Sequence, residues 1–378
     1  MKICVINNLY KPYNRGGAEQ AAETIAHGLI KAGHEVFIIA TKPAAGRRFA
    51  AGVPRVIYLN GLYYNLNKLP EFTRLFWHFW NMFNFINYFK IKKILAREKC
   101  GAVIMNNLMG VGFLTPLAAK RLKIKRLQII HDIQLIHPSG LIYYGQEAAA
   151  DGWFAQLYSL ICRRLFNSVE AVIFPSNWLK DYYRKRNFFP RSKIEALPNP
   201  VKAALPRAGA RPGKGVFLFI GQIEKHKGVF LLIEAFNKIY DKYPEAELLL
   251  AGDGSRLEQV RRQAAGNRNI KFLGWPGGQA ADELLNRADY LVYPSLVYEN
   301  CPNAIQRALA AGLPVIASNL GGIPELLNGG GVLFKPADAN DLAETMTGAI
   351  NGRINPEISK PAGIKTEAYI KKLEEFIK

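Results

Sequence analysis

Cysteine is scarce in this 378-residue chain, acidic residues are outnumbered by basic ones, and no long uninterrupted apolar run occurs. The four cysteines, Cys4, Cys100, Cys162 and Cys301, are widely spaced, which excludes a disulfide framework or a cysteine zinc site and fits reduced thiols in a cytosolic protein. No stretch of about 18 apolar residues is available to span a bilayer. The chain passes from Met1 straight into the strand-like Ile3-Cys4-Val5-Ile6, so no signal peptide is expected. No Gly-x-Gly-x-x-Gly follows that strand, which disfavours a nicotinamide-dependent enzyme. Lys and Arg number 50 against 30 Asp and Glu, a formal net charge of +20. The excess is uneven. Residues 1–200 hold 28 basic against 11 acidic side chains, whereas residues 201–378 hold 22 against 19. A basic first half points to an anionic partner there, with a membrane surface favoured. Nucleic acid has only the net charge behind it and no recognisable module.

A 49% hydrophobic content with 21% charged residues is globular composition, and the length suits two domains. Lys2–Asn7 reads as a strand, the loop through Gly16-Gly17 follows, and Ala18, Ala21, Ala22, Ile25 and Leu29 recur at helical spacing up to Gly33. With a second strand at Glu35–Ala40 this is a βαβ unit and hence part of a parallel sheet. The paired glycines let backbone amides approach a phosphate at the helix start. Glu71–Lys99 is crowded with aromatics as far as Phe89, and Lys90, Lys92, Lys93, Arg97 and Lys99 follow them. Phe72, Phe76, Phe79 and Phe83 share one helical face, and the stretch is read as two core helices joined near Asn81–Asn84. Its functional alternative is an interfacial segment on anionic lipid or around a lipid-linked acceptor. Strand patterns recur at 101–106, 126–130 and 171–175. The second of these ends at His131-Asp132, where a parallel sheet presents side chains to a ligand crevice. Ser176 reads as a helix N-cap.

Residues 201–215 mix proline and glycine with Ala and Arg, which is linker chemistry. Beyond them strands alternate with helices again, at 216–220, 247–251, 271–273 and 290–293, so the second half is also a parallel α/β sheet. Lys227 just before a helix start is suited to a phosphate. The stretch Val297–Ser318 is the most informative. Glu299 sits in a polar loop, Pro302 at the expected first helical position, a short Ala/Leu helix follows, Gly312 stops it, and a buried strand runs to Ala317. A carboxylate and backbone amides before a helix N-terminus suit a sugar diphosphate.

Taken in order, Gly16-Gly17-Ala18-Glu19, His131-Asp132, Pro175-Ser176-Asn177-Trp178, Gly221 with Lys227-Gly228, Gly252-Asp253-Gly254, and Glu299 through Gly321-Gly322-Ile323-Pro324-Glu325 resemble the retaining nucleotide-sugar glycosyltransferases of family 4, over nearly the whole chain. The resemblance implies the GT-B fold, two facing Rossmann-like parallel-sheet α/β domains with an interdomain cleft. Residues 1–200 would form the acceptor-side domain, 201–215 the linker, 216–365 the donor-binding domain, and 366–378 a terminal helix packing back on the first domain. It implies a UDP- or GDP-sugar donor as substrate, no cofactor and no essential metal. The acceptor would be lipid-linked or a saccharide, in cell-surface polysaccharide or glycolipid synthesis. The expected location is cytoplasmic, peripheral at the inner face of the plasma membrane. His131 would assist at the reacting centre and Glu299 hold the donor sugar. Gly16, Gly17 and Lys227 would meet the diphosphate, with Asn300, Cys301, Pro302 and Asn303 completing the phosphate nest. Asp253, Gly254 and Trp275 would line the base pocket.

Two positions depart from the family pattern. The diphosphate-binding arginine five residues before Lys227 is Gln222, and the second glutamate, eight residues after the first, is Arg307. That glutamate accepts hydrogen bonds from ribose hydroxyls, and a guanidinium has donors only. One expectation is compensation, with Arg307 supplying diphosphate charge that Gln222 lacks. The other is a catalytically silent GT-B-like binding or partner protein with an altered donor site.

Overall fold

Short runs of apolar residues without alternation make strands buried on both faces, as parallel sheets flanked by helices require. In the computed structural model, which describes residues 1–13, 16–43, 53–68, 70–200, 215–354 and 364–378, such runs build two compact units. Unit 1 comprises Met1–Gly140, Ala148–Pro200 and Ile364–Lys378, and unit 2 comprises Leu141–Glu147 and Val201–Gly363. Leu141–Glu147, read from sequence as part of the first domain, groups instead with unit 2. Tyr143 bridges to Val297, and the Tyr144 amide donates to the Leu296 carbonyl at 2.9 Å. The expected linker lies outside the described residues from 201 to 214.

Unit 1 holds strands β1 (Lys2–Ile6), β2 (Glu35–Lys42), β3 (Arg55–Asn60), β4 (Ala102–Met105), β5 (Lys125–Ile129), β6 (Ala171–Phe174) and β7 (Lys193–Ala196). They form one parallel sheet in the order β3-β2-β1-β4-β5-β6-β7. Its helices are α1 (Gly17–Lys31), α2 (Glu71–Met82), α3 (Phe85–Glu98), α4 (Thr115–Arg121), α5 (Trp153–Phe166) and α6 (Asn177–Arg184). Unit 2 holds β8 (Val216–Ile220), β9 (Glu247–Ala251), β10 (Ile270–Phe272), β11 (Tyr290–Tyr293), β12 (Val315–Ser318) and β13 (Val332–Phe334). Their order is β10-β9-β8-β11-β12-β13, again with parallel pairing. Between these strands run α7 (Val229–Tyr240), α8 (Leu257–Gln263), α9 (Gly278–Arg287), α10 (Asn303–Ala311) and α11 (Ile323–Leu327), and α12 (Ala339–Ile350) follows β13. Strand order reverses beside β1 and β4 in unit 1, and beside β8 and β11 in unit 2. At such switch points successive loops diverge and leave a crevice beyond the strand carboxyl ends.

The last helix, α13 (Thr366–Ile377), buries Tyr369, Ile370, Leu373 and Ile377 in the core of unit 1. It packs on α1 at Gly28, where an added Cβ would come within 2.7 Å of Ile370. The Glu374 carboxylate meets the His34 imidazole at 2.7 Å.

The aromatic hairpin departs from its expected packing. Its two helices do meet at Phe83-Asn84, but the buried positions include Asn81 and Asn87. Asn81 Oδ1 accepts from the Gly110 amide at 2.7 Å, and Asn87 Nδ2 donates to the Val111 carbonyl at 2.8 Å. Phe79 packs edge-on against Phe154 of α5, while Phe76, Trp80 and Phe83 point outward. The Phe72 side chain lies outside the described residues.

Candidate active site

In unit 1, Gly16 is the extended N-cap of α1, and the Glu19 carboxylate of the first turn is buried close to it. A Cβ on Gly16 would lie 3.0 Å from Glu19 Oε2, so the loop and its first helical turn fit tightly. His131 and Asp132 follow β5, the neighbour of β4 at the switch point. His131 Nε2 and Asn106 Oδ1, the latter just past β4, are 2.9 Å apart. Asn106 is buried beside Gln128, whose amide nitrogen donates to the Asn106 carbonyl at 2.7 Å. These residues and Tyr183 line a small cavity of about 20 Å³. Two tyrosines that sequence reasoning passed over position this loop. Tyr183 of α6 donates to the Asp132 carbonyl at 2.9 Å, and Tyr158 of α5 donates to the Gln134 carbonyl at 3.0 Å. Tyr158 sits within α5 and Tyr183 next to the end of α6, and only full burial of a phenol in need of a partner would have marked them. Ser176 caps α6 by accepting from the Leu179 amide at 3.1 Å.

Burial sets the charge states at this strand end. It lowers the His131 pKa from 6.5 to about 4, which keeps the imidazole neutral at pH 7. It also raises Asp132 from 3.8 to about 6, opposed by the Gln134 amide and assisted by the nearby Glu19 charge. The two act on stability in opposite senses. For His131 the folded value lies below the unfolded one, so its contribution is complete above pH 6.5 and is lost as the pH falls toward 4. For Asp132 the folded value lies above, so its contribution is present below pH 3.8 and is lost as the pH rises through about 6. At about 1.4 kcal/mol per pH unit, the His131 term sums to roughly 3 kcal/mol. His131→Asn should therefore flatten the acid loss of stability of unit 1 between pH 6.5 and 4 by about that amount. Urea unfolding at half-unit pH steps checks this, and parallel curves for variant and wild type would refute it.

In unit 2 the residues gather at the β8/β11 switch point. After β8 the chain passes Gln222, partly buried, and enters a short 3₁₀ turn at Lys225–Lys227 before α7. After β11 it passes Pro294 and Ser295 to Glu299, and α10 begins at Asn303. Lys227 Nζ lies 2.6 Å from Glu299 Oε1 and 3.2 Å from the Tyr293 hydroxyl. Ser295, fully buried, donates to the Val297 carbonyl at 3.0 Å and braces the turn before Glu299. Burial works against the Lys227 ammonium, but the Glu299 and Tyr293 oxygens outweigh it and hold its pKa above the ordinary range. Burial likewise disfavours the Glu299 carboxylate, and Lys227 reverses that, so Glu299 titrates below its ordinary value. His226 next door is lowered to about 4 by burial and then by the Lys227 charge. One fixed cation and one fixed anion thus stand at the crevice.

The main chain holds this arrangement. Gly321 has φ +62, and a Cβ there would lie 2.2 Å from the Glu299 carbonyl oxygen. The next amide, Gly322, donates to that same oxygen at 2.7 Å. The Gly321-Gly322 turn is therefore the clamp that fixes the Glu299 loop. Asp253 and Gly254 pair with the loop after β8 through the Ile223 amide and the Asp253 carbonyl, at 2.9 Å. Trp275, just past β10, is exposed, and Asn300 and Cys301 are buried. Pro302 is the N-cap of α10 and not its first helical residue, because its ψ of 121° is extended. Gly312 ends α10 in the left-handed conformation, φ 76°. Arg307, mid-way along α10, donates to Asp282 of α9 at 2.6 Å and to the Gly278 carbonyl at 3.3 Å. Its charge is thus matched within unit 2 by a carboxylate that sequence reasoning did not single out.

Two parallel α/β units with switch-point crevices are the architecture of the GT-B class of glycosyltransferases. Residues 15–205 match Glycosyltransferase Family 4, and residues 214–351 match the Glycosyl transferases group 1 domain. The chain belongs to glycosyltransferase family 4. An uncharacterized 42.6 kDa protein in the cps region of Klebsiella pneumoniae is 27% identical over 333 residues, 86% of this chain and 87% of that one. Among solved structures, sucrose-phosphate synthase from Thermosynechococcus elongatus shares the fold with a TM-score of 0.72 at 20% identity, over 100% of this chain and 96% of that one. Anabaena HepE in complex with UDP and glucose does so with a TM-score of 0.70 at 17% identity, over 99% and 98%.

Proposed function

We propose that this glycosyltransferase moves a sugar from a UDP- or GDP-linked donor to a lipid-linked or saccharide acceptor, in cell-surface polysaccharide or glycolipid synthesis. Transfer proceeds with retained anomeric configuration, without an essential metal, at the cytoplasmic face of the plasma membrane. The observation that carries this reading is the Lys227–Glu299 pair at the β8/β11 switch point. A nucleotide sugar brings a diphosphate and a ring of hydroxyls. Lys227 meets the first, and Glu299, released from its partner, accepts hydrogen bonds from the second. Charge growing on the leaving diphosphate is stabilised by a cation already in place and by the start of α10, four residues past Glu299.

On this reading the backbone of Asn300–Asn303 lines the phosphate side, and Asp253, Gly254 and Trp275 lie on the base side. Gly16 and Gly17 assist at the diphosphate. His131, neutral, assists beside the donor sugar as a hydrogen-bonding group and not as a cation. Gln222 leaves the diphosphate with one cation fewer than the family pattern, and Arg307 serves the nucleotide only where a ligand competes with Asp282 for it. The complex of HepE with UDP and glucose supports a UDP-type donor.

A thermal-shift series with UDP, GDP and ADP and their sugars tests the proposal. At 100 times its dissociation constant, the true donor adds about 2.7 kcal/mol to the stability of the unit that binds it. No shift with any nucleotide diphosphate or nucleotide sugar would overturn it, and a product of inverted configuration would overturn the retaining step.

A further inference from the structure

The α2–α3 hairpin carries large apolar side chains on both faces, with Met82, Ile91 and Leu95 fully buried and a second set turned outward. Asn81 and Asn87 point inward and are spent on backbone groups of the 110–111 loop. The outward stripe of α2 carries Phe76, 73% exposed, with Trp80 and Phe83, spaced so that all three share one face. The outward stripe of α3 carries Phe85, Ile86 and Phe89, the last 63% exposed, and continues into Lys90 and Lys93. Phe154 connects this hairpin to α5, with ring centroids 5.9 Å from Phe79 and 6.0 Å from Trp153. On α5, Trp153 is 79% exposed, and Leu157 and Arg164 follow it on the same face. Three helices of unit 1 thus present large apolar side chains outward with basic residues behind them. A chain that needed only solubility would not expose them together.

The geometry points to this surface as the part of the protein that docks on an anionic lipid bilayer. The inference rests on the membrane-side reading of the function and deepens it by assigning the contact. Among the described residues no helix is long and apolar enough to cross a membrane. α2 and α3, of 12 and 14 residues, are short. At 1.5 Å per residue they reach roughly 20 Å, against a hydrocarbon core of about 30 Å. They therefore lie in the interface. Aromatic rings enter to a depth of about 5–10 Å while basic heads stay at the phosphate level. Charge complementarity selects the occupant, because Lys90, Lys93 and Arg164 flank the apolar stripes and residues 1–200 carry 28 basic against 11 acidic side chains.

Flotation with vesicles of phosphatidylglycerol and phosphatidylcholine, and of phosphatidylcholine alone, at two salt concentrations tests this. The wild type should float with the anionic vesicles and less so at high salt. The triple variant Trp80→Ser, Phe85→Ser, Phe89→Ser should lose at least tenfold in partition. These side chains are exposed, so the variant should keep the wild-type unfolding midpoint. Lys90→Glu with Lys93→Glu should weaken binding to the anionic vesicles. Leu333→Ser, at an exposed position of unit 2, should float like the wild type. Equal flotation of triple variant and wild type would overturn the inference. So would absence of wild-type flotation, or a wild-type dimer that the triple variant dissociates without any lipid binding. Nucleotide binding is read separately by thermal shift without vesicles. A protein that floats through these residues but binds no nucleotide diphosphate supports the surface and sinks only the donor assignment.

Discussion

Lys227→Ala is expected to reduce sugar transfer by about a hundredfold or more in kcat/KM, because on the proposed reading it deletes the cation that meets the leaving diphosphate. Removing a preorganised charge costs more than its absence in water would suggest, since the remaining groups are fixed and partly dry. Stability should fall as well. Lys227 and Glu299 are 2.6 Å apart with side chains 19% exposed, so the variant leaves a carboxylate in a site whose burial disfavours its charge. Breaking a buried pair from one side costs about 3–5 kcal/mol, and the residual exposure here brings the expectation to about 2 kcal/mol. Glu299 should respond by titrating at higher pH, so the deficit should shrink as the medium is acidified. Adding Glu299→Gln to Lys227→Ala should restore part of the stability and none of the activity. Steady-state kinetics with urea unfolding at two pH values checks both halves. A single variant with near-normal kcat/KM would remove Lys227 from the reaction.

Gly228→Ala should unfold or cripple unit 2. The residue lies between Lys227 and the first residue of α7 with φ +74, and a Cβ there would sit 1.7 Å from the Pro294 carbonyl oxygen. The left-handed backbone alone costs a non-glycine residue about 1–2 kcal/mol. The contact with Pro294 is worse, because the obstructing atom is main chain of the loop leading to Glu299 and cannot swing aside. A total above about 4 kcal/mol is expected, which for a unit of this size lowers the midpoint by roughly 10 °C or more. Gly312→Ala is the control. Its φ is similar at +76, but nothing lies within 4 Å of the added Cβ. It should cost only the backbone term, about 1–2 kcal/mol. Calorimetry separates the two cases, and equal midpoints for both variants would show that conformation, not crowding, governs Gly228.

The contrast between these glycines shows what was legible from sequence. The stop at Gly312 could be read because the helical pattern ends there, and Ser176 as an N-cap because its neighbours begin a helix. Parallel sheets followed from apolar strands alternating with helices. Glu299 and Lys227 each stood out in the sequence, but their pairing did not, since 72 residues separate them and only the strand order brings their loops together. For the same reason Arg307 drew attention and its partner Asp282, on another helix, did not. The aromatic hairpin is the clearest miss. Helical spacing states which side chains share a face, but the face turned inward carries Asn81 and Asn87, hydrogen-bonded to the 110–111 loop, beside Met82, Ile91 and Leu95. Leu141–Glu147 was misassigned because the Tyr144–Leu296 backbone bond leaves no mark in local composition.

The crevice of unit 2 is framed by peptide against peptide. Besides Gly228 and Gly321, Gly252 stands where a Cβ would be 1.9 Å from the Gly221 carbonyl oxygen, and Gly254 where it would be 2.4 Å from that of Ile223. The contour of these loops therefore depends on small residues at four places and very little on the identity of the longer side chains that project from them. Such a frame tolerates exchange of its decoration. Gln222 and Arg307, the two departures noted in the sequence, project from this frame, and neither side chain is among the atoms that crowd the four glycines. On the proposed reading, what the crevice accepts can change with a few projecting side chains while this glycine-bound backbone stays as it is.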